Sequence, residues 1–269
     1  TQRPALLNSV DSVLVLRMSV GTKGAEWTGF SLASYAQLLE PYYLKSLLLT
    51  LRLALISAVI AVVLAIPVAY TMSRLTSPFV RRIFLAAVLL PLLVNLLLQS
   101  YGWLVILGPG GMLNQALMGL GLIKRPIMLL YNQNGVLMGL VQTAFPLAVL
   151  PIASAMRGVA RTYEEAAATL GASRLQVFRQ VVLPMSMPGI ITGATLVFAY
   201  NASSFVVPLL LGGRRVPMLA VMVHDQIAPL MNWPAASAAG VVLIVTTLAI
   251  MTLSEYITGR RRRMLEASQ

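Results

Sequence analysis

The stretch LLLTLRLALISAVIAVVLAIPVAYTM, Leu47 to Met72, holds a single charged side chain, Arg52, in 26 residues. About 20 apolar residues in a helix cross roughly 30 Å of hydrocarbon, and a helix satisfies its own backbone polar groups there. A run of this kind therefore predicts a membrane-spanning helix. Four more runs share its character: Phe84 to Leu107, Val136 to Met156, Met187 to Leu211, and Ala236 to Ile257. An earlier run, Val10 to Val20, is broken by Asp11 and Arg17 and is too short to cross. It reads as the outer end of a span that would begin before Thr1. The fold class expected is an all-α polytopic membrane protein with five spans visible and a first span missing or incomplete. The expected organisation is an outer segment at 1–46, a transmembrane domain at 47–257 and a basic tail at 258–269.

Composition removes the main rivals. With 58% hydrophobic and 10% charged residues, the chain lacks the polar surface of a water-soluble fold of its size. A net charge of +12 raises nucleic acid as a partner. The basic residues, however, sit at the ends of apolar runs and are not interleaved with aromatics on one polar element, so nucleic acid is not expected and contact with membrane lipids is. The absence of cysteine excludes disulfides, thiolate metal sites and a cysteine nucleophile.

The basic residues also give orientation. Arg74, Arg81, Arg82, Arg157, Arg161, Arg174, Arg179 and Arg260 to Arg263 fall on one side, against Lys124, Arg125, Arg214 and Arg215 on the other. The richer side is expected to be cytoplasmic, with the carboxyl terminus. Two outer loops each carry a short amphipathic helix by pattern: Gly108 to Tyr131, which begins GPGG, and Gly212 to Pro234, which begins GGRR. Both are expected at the interface.

Acids are missing from the interior of the spans, so the coupling groups of a proton- or sodium-driven carrier are missing too. Arg52 is expected to snorkel to the headgroups. There is one histidine, His224, outside the spans, and no G-x-x-x-x-G-K-[ST] loop, so neither protease chemistry nor phosphate binding of that kind is expected of this chain. It is not expected to be an enzyme. What the spans hold is neutral polarity: Asn95, Gln99 and Tyr101, then Gln142 and Thr143, then Tyr200, Asn201, Ser203 and Ser204. Together with the breaks at Pro67, Pro91, Pro146, Pro151 and Pro208, these residues point to a passage for a polar solute; helix-to-helix hydrogen bonding is the alternative use for each.

The polar interruption between the third and fourth of these runs has its own local grammar. Thr162-Tyr163-Glu164-Glu165 fits a capping box, which predicts a helix start at Thr162. Ala166 to Ala168 keep the helix thin, and Gly171 suits a left-handed closing residue. Ser173 can cap a second helix with Leu175, Phe178, Val181 and Val182 on one face, and Pro184 is expected to end it. The product is two short helices over 162–184 meeting at an elbow.

Spacing then adds a family likeness. Glu165-Ala166-Ala167, three residues, Gly171, nine residues, Val181, one residue, then Leu183-Pro184 resembles the EAA signature of ATP-binding-cassette importer permeases, with Val181 in place of the commoner isoleucine. FSLASYAQLLEPYYLKSLLLTLRLAL, GMLNQALMGLGLIKRPI and NWPAASAAG are similar to the spermidine/putrescine branch. The resemblance implies a type I importer fold of six spans in a bacterial inner membrane, in which 162–184 is the coupling helix. It implies as coupling residues Glu164, Glu165, Ala166, Ala167, Gly171, Ala172, Arg174, Phe178, Val181, Leu183 and Pro184. It further implies a second homologous permease or an identical copy, two cytoplasmic ATPase subunits that bind ATP and Mg in place of this chain, and an external solute-binding protein. A polyamine is the expected solute, although related permeases serve opines, organophosphonates, iron or thiamine. A stand-alone channel or secondary carrier is the reading from another class.

Overall fold

The computed structural model describes residues 14–21, 30–228 and 230–266, with side chains described up to 253. Parts of the segment 1–46, including residues 10–13 of the early apolar run, lie outside the described residues, as do the side chains of Arg260 to Arg263. The named helices are α1 (Ala33–Leu38), α2 (Pro41–Arg74), α3 (Pro78–Leu93), α4 (Leu96–Leu107), α5 (Met112–Gly119), α6 (Gln133–Gly158), α7 (Arg161–Thr169), α8 (Arg174–Met185), α9 (Met187–Ser203), α10 (Leu219–Ile227) and α11 (Trp233–Glu266).

Among the described residues four segments are long and apolar enough to cross a membrane: Pro41–Arg74, Leu96–Gly119, Gln133–Gly158 and Trp233–Leu253. A fifth is the bent pair α8 and α9, whose axes differ by 66°. Two of the expected runs are not continuous helices. Phe84 to Leu107 breaks between α3 and α4, where Val94 is extended and the Asn95 side chain accepts a hydrogen bond from the Leu97 N–H at 2.8 Å, starting a new helix. The crossing there belongs to Leu96–Gly119, which joins α4 to α5. Met187 to Leu211 ends as a helix at Ser203, and a π turn at Pro208–Gly212 follows. Pro208 falls in the first turn of the new helical segment, where its missing N–H would have no intrahelical partner in any case.

The core is formed by α2, α6 and α9. Along α2, Ala54, Ala58, Ala61, Ala65 and Ala69 recur at intervals of three and four residues and are all essentially buried. Such a stripe lets helix backbones approach closely where lipid supplies no hydrophobic drive between helices. It meets Ala144, Ala148, Ile152 and Ala153 of α6. On α9, Gly189 lies so close to α6 that a β-carbon there would fall 2.4 Å from the Ala155 side chain and 2.6 Å from the Pro151 carbonyl. The opposite face of α2 exposes Leu48, Leu55, Val59 and Val63, as a lipid-facing surface does. Arg52 is on the exposed side of α2, but because this helix starts at Pro41 it lies well along the helix and not at its start.

The two loops expected on the outer side are more tightly held than an interfacial position requires. In the first, fully buried Asn114 donates to the carbonyls of Gly108 and Ile127 at 3.0 and 3.1 Å and accepts from the Ile127 N–H at 2.8 Å. In the second, Leu219, Ala220 and Met222 of α10 pack with Leu38, Tyr43 and Ala239, and the Thr50 hydroxyl accepts from the Leu219 N–H at 2.8 Å. Thus α10 is built into the bundle.

Candidate functional site

The elbow at 161–185 forms from local rules, though not at every position expected. The first helix starts at Arg161 with Ala160 as its cap, and no side chain caps it. Thr162 falls inside the first turn, so the expected Thr162/Glu165 capping box is absent. The capping box forms instead at the second helix: the Ser173 hydroxyl accepts from the Gln176 N–H at 3.4 Å, and the Gln176 side chain accepts from the Ser173 N–H at 2.7 Å. Between them the chain turns on Gly171, at φ +84°. Its N–H bonds to the Ala168 carbonyl at 3.0 Å, and the Ala172 N–H to the Ala167 carbonyl at 3.1 Å. This pair of bonds is the Schellman closure, which requires a left-handed residue at that point.

The second helix does not stop at Pro184. A π turn over Phe178–Val182, in which the Leu183 N–H reaches the Phe178 carbonyl, carries the chain through Pro184 to Met185 before the bend at buried Ser186. The face turned inward is also shifted from the expected one: Val177 and Val182 are buried, Phe178 and Val181 are half-buried, and Leu175 is 59% exposed.

The elbow is anchored on its inner side. Glu164, in the first turn of α7, forms an ion pair with Arg74, the last residue of α2, with side-chain exposures of only 19% and 17%. The Arg74 guanidinium donates to the Val159 carbonyl just past α6 at 3.3 Å, and Arg161 donates to the Arg74 carbonyl at 3.2 Å. Each of two long helices thus ends on an arginine from the other side of the junction, where unpaired carbonyls and the negative end of the helix dipole favour a cation. Arg74 also lies 5.8 Å from the Tyr70 ring centre, and Tyr70 meets Phe178 edge-on at 5.1 Å. The outer side is open: Glu165, Ala166, Arg174 and Pro184 are exposed, with Tyr163 at 54% and Leu170 at 89%. Among the described residues Glu165 forms no ion pair. Ala167, Ala172 and Leu183 are half-buried.

The neutral polar residues of the spans fall into three groups. Asn95, Gln99 and Tyr200 line one cleft of about 420 Å3, together with Thr143 and the segment from Pro91 to Leu96. Gln99 there donates to the carbonyls of Pro91 and Val94, so it satisfies the break between α3 and α4 while facing the cleft. Gln142 lies in a separate, mostly apolar cleft of about 630 Å3 and accepts from the Trp103 indole N–H at 3.2 Å. Asn201, Tyr101 and Ser204 line neither. Asn201 is wholly buried between α9 and α2, donating to the Ser57 hydroxyl at 2.8 Å, which is the helix-to-helix use. Tyr101 is exposed on α4, and Ser204 ends α9. Thr143, one residue after Gln142, is the member of that pair that faces the first cleft. Among the described residues no cluster of three His, Cys, Asp or Glu side chains could hold a metal ion.

Residues 46–263 match the family described as binding-protein-dependent transport system inner membrane component. The chain belongs to that family. This permease is 33% identical over 236 residues to the spermidine/putrescine transport system permease protein PotB of Escherichia coli strain K12, covering 88% of this chain and 84% of that protein. It is 33% identical over 259 residues to PotB of Haemophilus influenzae, covering 95% and 89%. Its fold is similar to that of a chain in the crystal structure of a bacterial alginate ABC transporter in complex with an alginate pentasaccharide-bound periplasmic protein, with TM-score 0.76, 17% identity, and coverage of 96% and 93%. The permease is thus a multi-pass membrane subunit of an importer, with the all-helical fold of that class.

Proposed function

We propose that this permease imports a polyamine of the spermidine/putrescine kind by alternating access, driven by two ATPase subunits that dock on the elbow at 162–184. The docking face would use Glu165, Ala166, Ala167, Gly171, Ala172, Arg174, Phe178, Val181, Leu183 and Pro184, with Glu164 holding the elbow from within. ATP and Mg would be bound by those partners. A second homologous permease would complete the passage, with Asn95, Gln99 and Tyr200 lining this chain's half and Gln142, Tyr101, Asn201 and Ser204 further from it in the present conformation. An external binding protein would deliver the solute, and the elbow and carboxyl terminus would face the cytoplasm of an inner-membrane cell.

One observation carries the reading: a two-helix elbow, fixed on its inner side, that exposes Glu165, without an ion pair among the described residues, and, elsewhere around the same arm, Tyr163 and Leu170. A rigid element that exposes an acid on one side and large apolar groups on another suits docking into a groove that encloses it and offers both basic and apolar walls. The polyamine assignment rests on similarity to the two PotB proteins.

The test is reconstitution of the permease pair with its ATPases and binding protein in proteoliposomes. ATP-dependent uptake of radiolabelled spermidine is expected, with loss of uptake and of ATPase retention in Glu165→Lys. Spermidine flux through this chain alone without ATP, or solute-stimulated ATP hydrolysis unchanged in Glu165→Lys, would refute it.

A further inference from the structure

The basic residues at the cytoplasmic ends of the spans are explained well enough by topology, yet two of them do more than carry charge. Arg74 and Arg161 are far apart in sequence, and each donates to a carbonyl at the other's helix junction. Arg74 also pairs with Glu164 on the elbow, and its guanidinium lies over Tyr70, whose ring in turn packs against Phe178. The contacts form an unbroken chain: Glu164 on α7, Arg74 and Tyr70 on α2, Phe178 on α8. Both arms of the elbow are therefore held by one end of one helix, and the same arginine is tied to the end of α6 through Val159.

We propose that Arg74 is a positioning residue that makes the elbow and the cytoplasmic ends of α2 and α6 move as one body, so that displacement of the elbow is delivered to the core. This rests on the reading of the elbow as the ATPase docking element. Three features support a transmitting role. The Arg74–Glu164 pair is largely shielded from water, where an ion pair is screened less and breaking it leaves a charge uncompensated. A planar guanidinium can serve Glu164, the Val159 carbonyl and the Tyr70 face together, which an ammonium cannot. And the two helices it joins carry the parts that must move: α6 holds Thr143 and Gln142, and α2 holds Ser57, the partner of Asn201.

The experiment measures coupling and geometry separately. In the reconstituted complex, Arg74→Gln is expected to keep the ATPases bound while solute transported per ATP falls by roughly tenfold, the scale of a typical coupling between sites. Arg74→Glu combined with Glu164→Arg is expected to recover more than either single change. A residue that only stabilised the fold would lower yield and melting temperature and leave the transport-to-hydrolysis ratio where it was. Because the chain has no cysteine, Thr71→Cys and Thr169→Cys, both at exposed positions, give clean spin-label sites on α2 and α7. Their distance distribution is expected to stay narrow and unchanged on ATP binding in the parent, and to broaden in Arg74→Gln. An unchanged ratio in Arg74→Gln, no recovery in the double reversal, or a distance that shifts with ATP in the parent would overturn the proposal. A parent complex without ATP-driven uptake overturns the reading under Proposed function, while the spin-label distances still decide the junction.

Discussion

Replacing Gly171 separates a backbone requirement from a contact requirement. The residue is at φ +84°, and a β-carbon added there meets nothing within 4 Å. Within this chain, alanine would therefore lose nothing by collision and everything by conformation, about 1–2 kcal/mol for an L-residue held in the left-handed region. Asparagine tolerates that region, so Gly171→Asn is expected to lose less, and β-branched Gly171→Val more. A loss of 1–2 kcal/mol is a factor of about 5–30 in the equilibrium between closed and open elbow. Amide exchange reads that equilibrium directly. The peptide from 163 to 177 contains the two Schellman donors, Gly171 N–H and Ala172 N–H. Its protection, followed by hydrogen-exchange mass spectrometry of the permease in nanodiscs, is expected to fall by that factor for alanine and by less for asparagine. Equal protection in Gly171, Ala and Asn variants, or asparagine as damaging as alanine, would refute the conformational argument. Loss of uptake in all three substitutions with protection intact would mean that an ATPase packs against the bare glycine.

Gly189→Val should cost about 1–3 kcal/mol by overpacking α9 against Pro151 and Ala155, seen as a lower melting temperature in detergent, whereas Gly240→Ala, with nothing within 4 Å of the new carbon, should not lower it. Asn114→Ala should leave the Ile127 N–H and two carbonyls without their side-chain partner, a loss of about 1–3 kcal/mol, and should speed tryptic cleavage after Lys124; unchanged cleavage would show that the loop is held by other contacts. Ser57→Ala and Asn201→Leu should be non-additive in unfolding free energy by about 0.6–2 kcal/mol, the range for interhelical hydrogen bonds in membranes, and strict additivity would remove the bond from the account.

Much of the architecture was legible because its causes are local. Long apolar runs gave the crossings, and the left-handed glycine at 171 and the cap at Ser173 are decided within a few residues. The misread positions have causes that are distant in sequence. Thr162 and Ser173 offer the same capping pattern, and only the second is used. At the first, the chain must leave α6 through extended Ala160 and begin its helix at Arg161, so that this side chain reaches the Arg74 carbonyl and Glu164 reaches the Arg74 guanidinium. Asn201 and Ser57 are 144 residues apart, and no spacing rule marks a polar residue as paired across that distance. Pro184 was expected to stop a helix because a regular ladder cannot accept it, but a five-residue widening upstream can. In the second span, Asn95 and Gln99 read as pathway residues or as helix-to-helix donors and acceptors; they finish the helix break that opens the cleft, a use within their own stretch of chain.

The π turn at Phe178–Val182 behaves as one residue inserted into an α-helix. At 3.6 residues per turn, one residue is worth about 100° of rotation. The insertion therefore sets the azimuth of everything on its amino-terminal side relative to α9. Deleting a single residue there, such as Gln180, together with Pro184→Ala, which removes the ring that a regular ladder rejects, would restore a regular helix and swing the arm carrying Arg174 and Leu175 through more than a quarter turn. The direction in which this permease presents its elbow is thus stored in a count of residues.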